Sequence, residues 1–332
     1  MNELCKQTAF CCLRDNSAEN DRVFGGWNMI TTVGKVRLDD TLYPGEDFYS
    51  DGAVEDELLE IVSTSEESEY NRIIVERRSW PILYHLSHIR ENIVSWIPMS
   101  GQESVLEIGS GCGAVTGALA RKAKKVTCIE LSRLRSLINA NRHKNLDNIE
   151  IKLGNFEHVE ASLTEQYDMI TLIGVLEYGG SYITANKPYH TFLATMKKHL
   201  APGGRIVIAI ENKMGMKYWA GCKEDHLGDY YNGIEGYGGV THVRTFSKPE
   251  LTRLAQEAGF EQIEFFYPYP DYKFPNVIYS DDFLPGPGDL NDNLRNFDNE
   301  RLATFDESKV FDSVIRDGMF PYYSNSFEVI LQ

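Results

Sequence analysis

The stretch SVLEIGSGCGAVTGALA sets Gly109, Gly111 and Gly113 directly after an apolar run and at the start of a helical pattern. Glycines in that place let the backbone turn tightly and approach a ligand, while the free N–H groups of the helix start face whatever binds. A dinucleotide loop of the GxGxxG type asks for glycine at position 114, where this chain has Ala114. Glu107, two residues before the first glycine, opposes a phosphate and suits the ammonium of an amino-acid ligand. Seventeen positions after Gly113, the run CIELS ends an apolar segment with Glu130, an acid placed to take a ribose diol. LGNFEH then puts Asn155, Phe156 and Glu157 at the end of a third strand, where an amide or carboxylate and an aromatic face can hold an adenine ring. Together these residues ask for an adenosine joined to an amino acid and carrying no phosphate.

Strand ends have to position such a ligand, and the hydropathy pattern supplies them. Strands are expected at 104–108, 125–129, 149–153, 169–173, 205–210 and 262–267, alternating with helices from about 114 and at 132–143, 190–200 and 247–258. MITLIG and RIVIAI are apolar on both faces, which indicates a parallel sheet covered by helices on each side, a doubly wound α/β fold. Ser247 and Glu250 have capping-box spacing, and Gly259 stands where that helix must stop. Upstream, Ile82, Leu86, Ile89, Ile93 and Ile97 recur at three- and four-residue spacing and predict one helix over 81–97. Residues 1–75, acidic and turn-rich around a helix at 53–62, read as an N-terminal extension or lid. The core is then 76–270, interrupted by an insertion at 213–244; residues 271–325 form a second, substrate-binding insertion, and 326–332 the last core strand. Both insertions are rich in Tyr, Gly, Asp and Pro and lie beyond strand ends, where α/β sheets build their sites.

ExGxGxG at Glu107 to Gly113, the acid Glu130, NFE at 155–157, YDMITLIGVLEY and the turn LAPGGRIVIA stand in an order and spacing that resembles the class I S-adenosylmethionine-dependent methyltransferases, over about 100–270 and the final strand. The resemblance implies a Rossmann-like seven-stranded sheet with an antiparallel last strand, S-adenosyl-L-methionine as cofactor, and cofactor contacts at Gly109, Gly111, Glu130, Asn155 and Phe156. IENKMGMKYWAGCKEDH, RTFSKPEL, FYPYPDYKFPNVIYSDDFLP and MFPYYSNSFEVIL are similar to bacterial methyltransferases encoded alongside glycosyltransferases and cell-surface polysaccharide enzymes. That likeness implies a sugar, sugar-nucleotide or glycan-linked acceptor and an association with glycosyltransferases.

Methyl transfer from a sulfonium is an in-line displacement that needs alignment, exclusion of water and removal of the acceptor's proton where it has one; it requires no metal. The sulfonium favours carbonyl oxygens and aromatic faces, which Gly174 to Tyr178 and Trp80 or Tyr84 can supply. Candidate bases are His226, Glu177, His190 and His242. His226, in KEDHLGDY, is preferred because a histidine titrates near neutrality and Asp225 can orient its ring; its bland alternative is a surface-loop histidine. Asn212 and the adjacent Glu211 end the fifth strand, as acceptor contacts or as backbone caps. His242 is a further candidate acceptor contact, and Tyr267, Tyr269, Asp271 and Tyr272 can stack on and hydrogen-bond a sugar, or merely fix a rigid Tyr-Pro crossing.

The chain has 332 residues, with 33 Lys and Arg against 49 Asp and Glu; its net charge of -16 opposes a nucleic-acid partner. No run approaches the ~20 apolar residues of a membrane span, and MNELCKQTAFCCLRDNSAEND lacks the pattern of a signal peptide, so a cytoplasmic protein without membrane insertion is expected. Cys5, Cys11, Cys12, Cys112, Cys128 and Cys222 have no zinc-ligand spacing and read as reduced thiols; no metal is expected. A peptide or a small natural product is the alternative acceptor. A non-catalytic methyltransferase-like subunit is the reading of another class, against which the intact ExGxGxG and Glu130 argue.

Overall fold

The computed structural model describes residues 30–47, 50–240, 242–293 and 301–332. Cys5, Cys11 and Cys12 and the first turn signals of the N-terminal extension lie outside these residues, while Cys112, Cys128 and Cys222 are free and buried. Ten strands form one sheet: β1 (Ile30–Val33), β2 (Val36–Asp39), β3 (Ser104–Ile108), β4 (Lys125–Glu130), β5 (Ile149–Leu153), β6 (Tyr167–Ile173), β7 (Leu200–Glu211), β8 (Ile263–Tyr269), β9 (Val277–Ser280) and β10 (Ser326–Leu331). Their spatial order is β1-β2-β5-β4-β3-β6-β7-β10-β8-β9.

The expected seven-stranded unit is the stretch from β5 to β8 in that order, and its last strand, β10, runs antiparallel to both β7 and β8. All six residues of β10 are buried between these neighbours, as an apolar SFEVIL requires. The chain runs from β3 outward through β4 and β5, then returns to β6 on the other side of β3, so the strand order reverses there. A crevice opens at the carboxyl ends of strands where the order reverses, and ligands bind in it.

Three strands exceed that unit. β1 and β2 form a hairpin from the N-terminal extension, with β2 parallel to β5, and β9 from the second insertion pairs antiparallel with β8. The single helix expected over 81–97 is broken. Trp80–Leu86 is helical, His88–Glu91 is a 3₁₀ turn, and Asn92–Ser95 resumes. At the break Ser87 is extended (φ -64°, ψ 128°) and its hydroxyl accepts the Ile89 N–H, a local bond that competes with helix. Ile82, Leu86, Ile93 and Ile97 are all buried, so the periodicity marks burial without requiring continuity. The second insertion holds a helix, Glu307–Arg316, capped by Asp306 and anchored by the buried Phe311. Among the described residues no helix is long and apolar enough to cross a membrane.

Candidate active site

The loops after β3, β4, β5, β6 and β7 surround a cavity of about 640 Å³ at the switch point. One end is lined by Glu107, Gly109, Gly111, Glu130, Asn155, Phe156 and Gly174; the other by Trp80, Tyr84, Glu177, Tyr178, Glu211, Asp225, His226, Tyr272 and Lys273. Ser50, Asp51 and Gly52 of the N-terminal extension close part of the wall. They are held there by Arg135, whose Nη2 donates to Asp51 at 2.6 Å and whose Nε donates to Glu55 at 2.7 Å. Arg90 joins two further elements: it lies 4.3 Å over the Tyr84 ring and donates to the Lys273 carbonyl at 2.9 Å.

At the glycine end, one Glu130 oxygen accepts the Gly111 N–H at 2.7 Å, and the other accepts the N–H groups of Leu131 and Ser132 at 2.8 and 2.9 Å. The acid is thereby fixed at the loop. Glu107 is buried and accepts from Thr116 Oγ1 at 2.7 Å; burial pushes its carboxyl up to about 7, the Thr116 and Cys128 bonds opposing the rise. A buried acid of this kind holds its proton until an ammonium arrives. We therefore expect S-adenosylhomocysteine, if its ammonium meets Glu107, to release a proton on binding below pH 7. The sign follows from the raised pKa: free Glu107 is protonated below about 7, the bound form is ionised, so affinity falls as pH drops from 7. The slope approaches about tenfold per pH unit. Calorimetric titration between pH 5.5 and 8 reads it, and Glu107→Gln should flatten it.

Other expected cofactor contacts fall elsewhere. Gly113 does not line the cavity; its carbonyl lies 3.0 Å from His143 Nε2, and a Cβ there would come within 2.4 Å of Asn139 Oδ1, so its role is packing of the helix Arg133–Arg142. Glu157 turns away to accept the Thr184 N–H and hydroxyl, at 2.8 and 3.1 Å. Asn155 caps the helix Phe156–Glu160 by accepting the Glu157 N–H, while its residue still faces the cavity.

At the other end, Glu177 follows β6, Glu211 ends β7, and His226 comes from the first insertion. His226 Nε2 stands 3.6 Å from Glu177 Oε1 and 3.9 Å from Glu211 Oε2. Asp225 does not orient the ring. Glu224 does, 3.1 Å from Nδ1, while its carboxylate accepts the N–H groups of His226 and Leu227 at 2.8 and 2.6 Å and the Tyr237 hydroxyl at 3.1 Å. Asp225 instead pairs with Lys217, at 2.9 Å, and with Lys273. Burial disfavours a charged imidazole, but the carboxylates of Glu177, Glu224 and Glu211 outweigh it and hold the His226 pKa well above its usual value. Titration near neutrality is thus no property of this histidine. The Glu177 pKa is raised as well: burial, reinforced by the Glu211 charge, lifts its carboxyl against the pull of His226.

His190 lies outside the cavity and bonds the Glu257 carbonyl at 3.0 Å; His242 is exposed, outside the lining, its carbonyl accepting from Ser181. Tyr269 donates to Asn293 Oδ1 at 3.0 Å and accepts the Asp292 N–H, and Asp271 accepts the Lys273 N–H, so both fix loops rather than face the cavity. Of the Tyr-rich group only Tyr272 reaches it. Asn212 is the backbone cap: its amide donates to the Tyr322 and Ser324 carbonyls at 2.9 and 2.8 Å and accepts the Met214 N–H at 2.9 Å. Asn212→Ala is expected to cost about 2–3 kcal/mol in urea denaturation while leaving S-adenosylhomocysteine affinity unchanged. Glu211, its neighbour, faces the cavity instead, as alternation along a strand requires. Sequence reasoning gave no role to Glu224, Lys273 or Arg90; an acid or base set among apolar and aromatic neighbours was the available signal.

A sheet of this order, with a glycine loop at its switch point and an acid closing the next strand, defines the Rossmann-like fold of class I methyltransferases. The methyltransferase-domain family model matches residues 76–264, more than half of the chain, and the chain belongs to that family. The chain thus carries a methyltransferase domain of the class that takes S-adenosyl-L-methionine as methyl donor. A probable ribosomal RNA small subunit methyltransferase A of Methanosarcina mazei is 42% identical over 65 residues, 20% of this chain and 24% of that protein, so the chain spans about a quarter of that relative's length. An S-adenosyl-L-methionine-dependent Diels-Alderase of Talaromyces variabilis is 29% identical over 193 residues, 56% of this chain and 62% of its own. A solved S-adenosylmethionine-dependent methyltransferase from Archaeoglobus fulgidus is 12% identical, with 76% of this chain and 99% of that one covered and a TM-score of 0.47.

Proposed function

We propose that the protein methylates an oxygen or nitrogen of a small polar acceptor, a sugar, sugar nucleotide or glycan-linked group before a peptide or natural product. The observation that carries this reading is the composition of the cavity's second end, where Trp80, Tyr84, Tyr178 and Tyr272 stand beside Glu177, Glu211 and Asp225. Aromatic faces with carboxylates between them suit an alternation of C–H faces and hydroxyls, which is what a sugar presents. The net charge of -16 opposes an RNA acceptor, although relatives matched over part of the chain carry ribosomal RNA methyltransferase names. The likeness of both insertions to enzymes encoded beside glycosyltransferases supports the same acceptor class and, with it, a glycosyltransferase partner.

In this reading Glu107 meets the donor's ammonium, the loop at Gly109 and Gly111 lets it approach, Glu130 takes the ribose, and Asn155 and Phe156 flank the adenine. Gly174 and the aromatic side chains face the sulfonium. The acceptor atom attacks the methyl carbon as the C–S bond breaks, and its proton passes to Glu177, whose Oε2 has no hydrogen-bond donor among the described residues. His226 balances the charge of Glu177 and holds it in place.

Incubation with S-adenosylmethionine and a panel of sugar nucleotides, free sugars, amines and peptides, read by mass for one added methyl, tests the proposal. A methylated sugar or sugar nucleotide supports it; a methylated peptide or natural product replaces the acceptor class. No product with any acceptor, together with no binding of S-adenosylhomocysteine at millimolar concentration, would return the protein to the non-catalytic subunit.

A further inference from the structure

We infer that Glu177, Glu211 and His226 form a divalent-cation site at the acceptor end of the cavity. Its purpose, to hold acceptor oxygens, rests on the acceptor reading above; its geometry does not. One donor atom from each residue lies within 4.8 Å of the other two. The 3.6 and 3.9 Å separations from His226 Nε2 to the two carboxylates are too long for hydrogen bonds. They are close to the spacing of neighbouring ligand atoms around a cation, about 3.0–3.4 Å for bonds of about 2.1 Å.

Burial argues in the same direction. Glu177 is 1% exposed and Glu211 0%, and Glu211 Oε2, one of the three converging donor atoms, has no hydrogen-bond donor among the described residues. Buried carboxylate oxygens without donors are costly unless a cation completes them. Lys273 answers only the other oxygen of Glu211, Oε1, at 2.9 Å, and shares its ammonium with Asp225. Lys217 is committed to Asp225 and stands 3.8 Å from Asp271. Tyr178 meets the imidazole edge-on at 5.4 Å between ring centroids and brings no charge.

The outer partners fit as well. Glu224, held by its own N–H and O–H donors, lies 3.1 Å from His226 Nδ1 and keeps a proton on that nitrogen, so a cation entering between the two acids displaces only the Nε2 proton and takes that lone pair. A carboxylate behind a histidine, fixing tautomer and ring orientation, is the usual arrangement behind a metal-bound imidazole. One imidazole with two carboxylates suits Mn²⁺, Fe²⁺ or Zn²⁺ better than a thiolate-seeking or an all-oxygen ion. All three ligands line the cavity, so the remaining coordination positions are open to the acceptor's oxygens. Glu177 gives Oε1 to the ion and keeps Oε2 for the acceptor's proton. The first insertion delivers His226, which gives that insertion a task.

The test uses the full chain, treated with a chelator and titrated with Mn²⁺ while the free-ion electron paramagnetic resonance signal is followed, with S-adenosylhomocysteine binding measured on the same samples. One Mn²⁺ per chain with Kd below about 100 µM is expected, and pulsed measurements should show coupling to a single imidazole nitrogen. His226→Ala abolishes that coupling, Glu177→Gln and Glu211→Gln remove binding, and Glu224→Gln weakens it about 10- to 100-fold, each keeping its S-adenosylhomocysteine affinity. The nitrogen coupling in the unaltered chain needs no variant, so a variant that does not fold leaves the test intact. A chain that binds S-adenosylhomocysteine but no Mn²⁺ at millimolar concentration, or binds Mn²⁺ without nitrogen coupling, overturns the site and leaves the acceptor reading standing. Mn²⁺ bound as expected with no acceptor methylated strikes the acceptor reading and leaves the site.

Discussion

Glu177→Gln is expected to lower kcat by about 10³ while changing the S-adenosylhomocysteine dissociation constant by less than about threefold. The substitution preserves volume but removes the oxygen proposed to receive the acceptor's proton, and Glu177 Oε2, like Glu211 Oε2, is a buried oxygen at that end of the cavity with no donor among the described residues. In the proposed arrangement the donor takes the other end, lined by Glu107, Gly109, Gly111 and Glu130, so its affinity is expected to report on a part of the cavity that the substitution leaves alone. His226→Ala should act through Glu177 and cost less, about 10² in kcat, because the ring positions and balances the carboxylate without receiving the proton. Rapid-quench turnover with an identified acceptor separates the two, and the KM for the donor should stay near that of the unaltered chain in both. A variant with kcat intact would remove Glu177 from the chemistry.

The part of this site that could be read from the sequence is the part whose chemistry is local. Glu107, Gly109 and Gly111 occupy one strand and one turn, and Glu130 the end of the next, so spacing along the chain already places them on one sheet edge. β10 was legible for a related reason, since Phe327, Val329, Ile330 and Leu331 crowd four apolar side chains into six residues, a density that suits a strand buried between two others. Asn212 and Glu211 show the limit. Adjacent residues at a strand end point to opposite faces, and only the course of the second insertion, which brings the Tyr322 and Ser324 carbonyls to Asn212, decides which of the two turns into the cavity.

His226 shows a different limit. Its membership in the cavity was legible from an acid-rich loop following a core strand, but its partner was not: Asp225 is the nearer residue in sequence, and two lysines claim it. The carboxylates that surround the ring come from residues 177, 211 and 224, two of them on other loops, and no motif spacing joins such a set. His190 and His242 failed for the converse reason, because a side chain near a strand end in sequence faces outward once its helix or loop takes its path. The break at Ser87 is smaller in scale but of the same kind: a hydroxyl that can bond its own backbone overrides a periodicity that Ile93 and Ile97 continue.

Gly111→Val should abolish S-adenosylhomocysteine binding, weakening it more than about 100-fold, and the protein should still fold. Gly111 sits at φ +52°, where a β-branched residue is strained by about 1–3 kcal/mol. A Cβ added there meets no atom within 4 Å, so the surrounding structure has no clash to relieve. The free space is the cavity itself, which Gly111 lines, and the valine methyls would stand where the donor must lie. The same residue's N–H donates to Glu130 at 2.7 Å, so a shift of the loop would also move the acid assigned to the ribose. Gly113→Ala, two residues on, is the control of opposite character. Its Cβ would strike Asn139 Oδ1 at 2.4 Å outside the cavity, so it should lose stability in urea denaturation while the folded fraction keeps its ligand affinity. Calorimetry and denaturation on both variants resolve the pair: binding lost at Gly111 and stability lost at Gly113 places the donor over the first part of the loop, whereas equal binding losses would mean that the whole loop, and not Gly111 alone, meets the ligand.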